Sequence, residues 1–108
     1  MNDSTYPWLV LSPMLHGLRD FHDVPAEHHA ALMGEITRAS CALQQVYKPD
    51  KINVAALGNV TPQLHIHVIA RSASDPAWAK PVWGIVPAKP YAPAALGEIV
   101  ARIRTALA

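Results

Sequence analysis

One stretch constrains this chain more than any other: Pro62 to Arg71, reading PQLHIHVIAR. Leu64, Ile66, Val68 and Ile69 are strand-forming apolar residues, and Gln63, His65 and His67 alternate with them. Side chains on a β-strand repeat every two residues, so the three polar groups are expected on one face and the aliphatics on the other. Two satisfied histidines on a half-exposed sheet would be a purely structural outcome. The preferred reading is a site that handles phosphate or holds a metal, built on a rigid strand.

The rest of the composition narrows the classes. A chain of 108 residues with 51% hydrophobic content has enough apolar mass for one domain with a core, and too little for two. The formal charge of +1, with basic residues scattered, leaves no electrostatic footprint for nucleic acid, so no nucleic-acid partner is expected. A single phosphate group remains within reach. The lone Cys41 rules out an internal disulfide and a multi-cysteine zinc site, and its helical context suggests a small buried thiol. No secretory signal or membrane-length apolar run is present, so the expectation is a cytoplasmic protein with no membrane partner.

In chain order, Trp8 to Leu11 (WLVL) reads as a short buried strand, ended by Ser12-Pro13 and a turn over Met14 to Gly17. Asp23 is expected to cap a helix whose first turn holds Pro25. Leu32, Ile36, Ala39, Leu43 and Val46 recur at helical spacing, predicting one amphipathic helix from about Pro25 to Tyr47. Its His28 and His29 are read as solvated, and His22 as a loop residue. Lys51 to Leu57 (KINVAAL) is a weak β-run, and the turn signal Gly58-Asn59 makes it the antiparallel hairpin partner of the histidine strand. Backbone amides between Gly58 and Pro62 could converge there on an anion. Ser72 to Pro93 is irregular and carries Trp78 and Trp83, a length usual for functional or partner-binding loops. Leu96, Ile99, Ile103 and Leu107 predict a closing helix of about four turns. The fold class expected is therefore α+β, an antiparallel sheet with one long helix and a C-terminal helix.

Two imidazoles one residue apart can share a metal, ligate phosphate, or pair a nucleophile with an acid or base. Zinc needs a third and usually a fourth ligand, and the candidates His16, Asp3 and Asp75 stand at no recognisable spacing. No serine sits in a nucleophile-elbow context. The phosphate case suits the neighbourhood better, with Asn59 and Thr61 as side-chain donors beside the turn amides. No metal or other cofactor is expected.

Gln63-Leu64-His65-Ile66-His67-Val68-Ile69 resembles the signature of the histidine triad (HIT) superfamily, His-φ-His-φ-His-φ-φ with φ apolar, with glutamine in place of the first histidine. Gly58-Asn59 resembles the family's upstream Gly-Gln. WLVLSPMLH resembles a segment ending in Pro-Lys-Arg-His, with Pro13 and His16 in register and both basic residues absent. Phe21-His22-Asp23 before the long helix, and the Trp78 to Gly84 region, extend the likeness over nearly the whole chain. It implies one α+β domain over residues 1–108, a homodimer formed through the long helix and a strand, and action at the α-phosphate of a bound nucleotide. By motif position His65 matches the nucleophile that forms a nucleotidyl-histidine, and His67 a phosphate-side hydrogen-bonding partner. Asn59 and Thr61 fall in the phosphate-contacting turn, His16 in the conserved-motif segment, and Asn2 or Asp3 near a ribose-binding polar residue. Gln63 cannot titrate, so a proton-relay role at that position is absent and an orienting hydrogen bond from its side chain is expected instead. The family's amino-terminal segment, which helps wall the base pocket, is expected to precede the point where this chain begins. A catalytically weak nucleotide-binding module and a small His-ligated metalloprotein are the alternatives.

Overall fold

Hydrophobic residues with a period of two at the centre of the chain, and of 3.6 on either side, must bury against one another, and the sheet is where they meet. The computed structural model describes residues 1–108. Its elements are β1 (Trp8–Leu11), α1 (His29–Tyr47), β2 (Lys51–Ala55), β3 (Ile66–Arg71) and α2 (Pro93–Leu107), with two short 3₁₀ turns before α1. The three strands are antiparallel in the order β1-β3-β2, so the histidine strand is central. Its register sets Val10 and Ala55 on either side of His67, and Trp8 and Asn53 on either side of Ile69. No helix is long and apolar enough to cross a membrane.

All six residues of β3 are buried, because both faces of this strand are covered. Ile66, Val68 and Ala70 face the main core, with Ile36, Ala39 and Leu43 of α1 and Ile103 of α2. Ile69 faces a smaller cluster made with Tyr6, Ala77 and Val82, against which Trp8 and Trp83 pack. This corrects the expected alternation: Ile69 lies on the histidine side, and the strand begins at Ile66, after Gln63 and His65. The histidine face is therefore roofed by the segment from Ser72 to Ala92, which has no helix or strand and folds back over it.

The long helix starts four residues later than expected. Pro25 has no amide to donate, and Ala26 to His28 form a 3₁₀ turn before α1 proper. Asp23 does not cap α1. Its Oδ2 accepts from the Arg19 and Asp20 amides at 3.2 and 2.9 Å, closing the Phe21–Asp23 turn and holding its carboxyl below the usual range. His22, His28 and His29 are all exposed as expected, and His29 also donates to the Val24 carbonyl at 2.9 Å. Cys41 is exposed, contrary to the buried thiol expected, because it lies two residues from buried Ala39 and so on the far side of the helix. Lys48 ends α1 in the left-handed conformation (φ 49°), and its amide closes onto the Gln44 carbonyl. Strand β2 stops at Ala55, two residues short of Leu57, leaving a ten-residue connection over 56–65.

Candidate active site

The connection from Ala56 to His65 turns back into β3, and its geometry rests on a glycine. A Cβ at Gly58 would lie 2.6 Å from the Thr61 carbonyl oxygen and 3.0 Å from Cε1 of His65. Only a residue without a side chain lets this turn close against the imidazole. His65 is half-buried, and its Nδ1 donates to the main-chain carbonyl of Gln63 at 2.7 Å. With the proton fixed on Nδ1, the lone pair is left on Nε2.

His67 stands beside it, the two ring centroids 4.9 Å apart. It is 4% exposed, and both of its ring nitrogens are occupied: Nδ1 lies 3.0 Å from Trp8 Nε1 and Nε2 lies 3.2 Å from the Leu57 carbonyl. Trp83 meets the same ring edge-to-face at 5.1 Å, and Trp8 and Trp83 meet each other at 5.6 Å. Burial holds the His67 imidazole below its ordinary range, and the positive potential of His65 and the Met1 ammonium acts in the same direction. The Leu57 carbonyl opposes them.

A polar cavity of about 190 Å³ opens on the His65 side, lined by Arg19, Asp20, Gly58, Asn59, Gln63 and His65 among others. A larger groove of about 500 Å³ lies between β2 and Trp78, Lys80 and Trp83 of the roofing segment. Arg71 lines that groove, its guanidinium gripped by both oxygens of Asp75 at 2.8 and 3.1 Å and by Asn53 Oδ1 at 2.8 Å.

The structure thus brings together His65, His67, Asn59 and Gln63, with Thr61 closing the turn. Gln63 contributes its main-chain carbonyl, and its exposed side chain forms no hydrogen bond, unlike the orienting contact expected of it. Asn2 and Asp3 are engaged elsewhere. Asn2 Oδ1 accepts from the Tyr91 amide at 2.9 Å, and buried Asp3 accepts from the Thr5 and Lys89 amides, stapling the start of the chain to the segment before α2. His16 is exposed in the turn after β1 and forms no hydrogen bond with this group. The donor atoms close enough to share an ion belong to exposed Asp20, His22 and Asp23, a set that includes neither motif histidine. Sequence reasoning passed over Trp8, Trp83 and Arg19. Trp8 carried a usable signal, since a buried indole N–H needs an acceptor and an apolar strand offers none on its own.

The family model described as HIT domain matches residues 1–74. The chain belongs to the HIT domain family. It is similar to the crystal structure of a histidine triad protein from Bradyrhizobium japonicum, at 39% identity and TM-score 0.95, over 100% of this chain and 81% of that one. A histidine triad protein from Marinobacter aquaeolei VT8 is 41% identical with TM-score 0.94, over 99% of this chain and 78% of that one. Another from Sinorhizobium meliloti 1021 is 37% identical with TM-score 0.93, over 97% of this chain and 78% of that one. A comparison with curated proteins gave no match. The antiparallel α+β architecture of this HIT domain is thus shared with these histidine triad proteins.

Proposed function

We propose that this HIT domain is a nucleotide hydrolase or nucleotidyl transferase that acts at the α-phosphate through a covalent intermediate on His65. The observation that carries the reading is the 2.7 Å bond from His65 Nδ1 to the Gln63 carbonyl, which leaves Nε2 as the free nucleophilic nitrogen beside a polar cavity. Imidazole attacks phosphorus at neutral pH without metal activation, and covalent catalysis divides one difficult displacement into two. In the first step an Nε2–P bond forms and the bond from phosphorus to the leaving group breaks, its electron pair departing with that group. The positive charge left on the His65 ring is shared with the Gln63 carbonyl. In the second step water or another acceptor forms a bond to phosphorus and releases its proton to solvent, while the Nε2–P bond breaks and its electron pair returns to Nε2. Asn59 and the backbone amides of residues 58–61 stabilise the phosphate oxygens, and Arg19, on the same cavity, supplies positive charge near them.

Thermal-shift screening of nucleoside monophosphates, phosphoramidates and dinucleoside polyphosphates identifies the ligand class, since a ligand at 100 times its Kd stabilises by about 2.7 kcal/mol. With a substrate in hand, His65→Ala is expected to abolish turnover and to remove the nucleotidyl adduct seen by intact-mass spectrometry, while nucleotide binding persists. Turnover in that variant would end the proposal. Activity is expected to survive chelation, and loss on chelation with recovery in zinc or manganese would favour metal catalysis. The second reading, a binding module with little turnover, is favoured by the non-titrating residue at position 63 and predicts ligand stabilisation with no adduct.

A further inference from the structure

His67 is buried, and each of its ring nitrogens meets a group whose hydrogen-bonding capacity is fixed by its chemistry. An indole N–H can only donate, and a main-chain carbonyl can only accept. Nδ1, 3.0 Å from the Trp8 nitrogen, must present its lone pair, and Nε2, 3.2 Å from the Leu57 oxygen, must carry the proton. Turning the ring over would set carbon atoms against both partners and leave the indole N–H unpaired. A second proton, on Nδ1, would face the indole donor to donor.

We propose that Trp8 is a positioning residue of the active site, whose indole N–H holds His67 as the neutral Nε2–H tautomer so that it meets a phosphoryl oxygen as a hydrogen-bond donor. The proposal rests on the nucleotide-handling reading for its purpose, but the tautomer itself can be observed without any nucleotide. The surroundings of His67 reinforce it from three sides, while β2 places only the apolar Ala55 beside it. Strand β1 contributes Trp8, the 56–65 connection contributes the Leu57 carbonyl, and the roofing segment contributes the uncharged ring of Trp83. The ionisable groups whose charge acts on it are His65 and the Met1 ammonium, and both disfavour its protonation. No carboxylate acts on it to favour the cation.

The arrangement divides labour between two histidines that look equivalent in the sequence. Main-chain carbonyls read both rings, but from opposite sides: Gln63 takes the Nδ1 proton of His65, and Leu57 takes the Nε2 proton of His67. One ring is thereby left with a free Nε2 lone pair and the other with an Nε2–H, and Trp8 is the residue that enforces the difference. On substrate binding, the Nε2–H of His67 has only to be shared between the Leu57 carbonyl and a phosphoryl oxygen, with the Trp8 bond kept and no proton to relocate.

The test is nitrogen-15 NMR of histidine-labelled, ligand-free protein, with the His67 signals identified by their loss in His67→Gln. The native protein is expected to show His67 as the Nε2–H tautomer, protonating only below the ordinary histidine range. Replacing Trp8 by 3-benzothienylalanine keeps the ring shape and puts sulfur where the N–H stood, and Trp8→Phe removes the N–H more coarsely. In either, His67 should become a tautomer mixture and begin to titrate within that range. Trp83→Phe perturbs the packing of the same imidazole and should leave its tautomer unchanged. An Nδ1–H or cationic His67 in the native protein would overturn the proposal. So would a benzothienyl variant that behaves as native, or a Trp83→Phe variant that reproduces the Trp8 effect. If no nucleotide binds while the tautomer is as expected, the functional reading fails and the role of Trp8 in fixing His67 stands.

Discussion

At the scale of single residues, Gly58 sets the tolerance of the site. The imidazole its missing Cβ would strike is itself held by the 2.7 Å bond to Gln63, so the turn must yield if a methyl group is added. A displacement of about 1 Å at a reacting group costs roughly 10²-fold in rate. Gly58→Ala is therefore expected to lower kcat/KM by about that factor with little change in thermal midpoint, a contrast that kinetics and melting curves on one preparation will read. Gln63→Leu should do far less, within about 0.5 kcal/mol, because the carbonyl that orients His65 is unchanged by the side chain. His67 adds a pH dependence to stability. Its folded-state pKa is lowered, chiefly by burial, so between that value and about 6.5 the unfolded chain binds more protons than the folded one. Its contribution to stability is complete above about pH 6.5 and is lost as pH falls through the folded value. Urea midpoints should decline on acidification below about pH 6.5, and His67→Gln should flatten that decline.

Among the elements, the one that least resembles an element holds the site together. The segment after β3 has no helix or strand, yet Asp75 organises it by accepting from the Ser72 and Ala77 amides while pairing with Arg71 at the strand's end. Both side chains of this pair are under 10% exposed (4% and 7%), and the guanidinium holds the Asp75 carboxyl below its usual range. Asp75→Ala would leave a buried guanidinium uncompensated, at an expected cost of about 3–5 kcal/mol in denaturant-measured stability. It should also loosen Trp83 from His67, visible as a change in tryptophan fluorescence. Much of the fold was legible beforehand because its signals are periodic and local: the central strand, its hairpin partner β2, the amphipathic stripe of α1 and the closing helix α2 all follow from residue spacing. The motif histidines were legible for the same reason. Capping geometry was less so, since Asp23 had two chemically equivalent uses, and only the path of residues 19–23 shows which one it takes. That the partners of His67 meet at its ring was not legible, because they come from β1, a loop carbonyl and the roofing segment, joined by tertiary contact with no sequence proximity. Asn2 and Asp3 failed to join the site for a related reason: their carboxamide and carboxylate are spent on amides near residue 90.

For the molecule as a whole, the three-stranded sheet ends in an edge strand on either side of β3. Strand β2 is an edge, with one row of main-chain groups unpaired, and natural proteins rarely leave such an edge uncovered. Val54 on that strand is 45% exposed, and its register partner Val68 faces the side of the sheet that α1 covers. Leu57 and Trp78 flank the same edge at 42% and 41% exposure, and Met33 of α1 is 61% exposed. Apolar residues exposed along an open edge and on a helix of the same chain are the kind that mark an interface. We expect a homodimer in which β2 and α1 meet their counterparts around a two-fold axis, an isologous contact burying at least about 1,000 Å² in total. Light scattering at micromolar concentration should return twice the 11.7 kDa chain mass, and Val54→Lys should shift the protein toward monomer by placing a charge on the edge. Because β2 also lines the groove that reaches Trp83, the lysine variant tests more than assembly. If the partner completes the nucleotide pocket, ligand stabilisation should weaken together with dimerisation as protein concentration falls. A native protein that scatters as a monomer would contradict the dimer, and undiminished ligand stabilisation in a monomeric Val54→Lys would show that each chain binds alone.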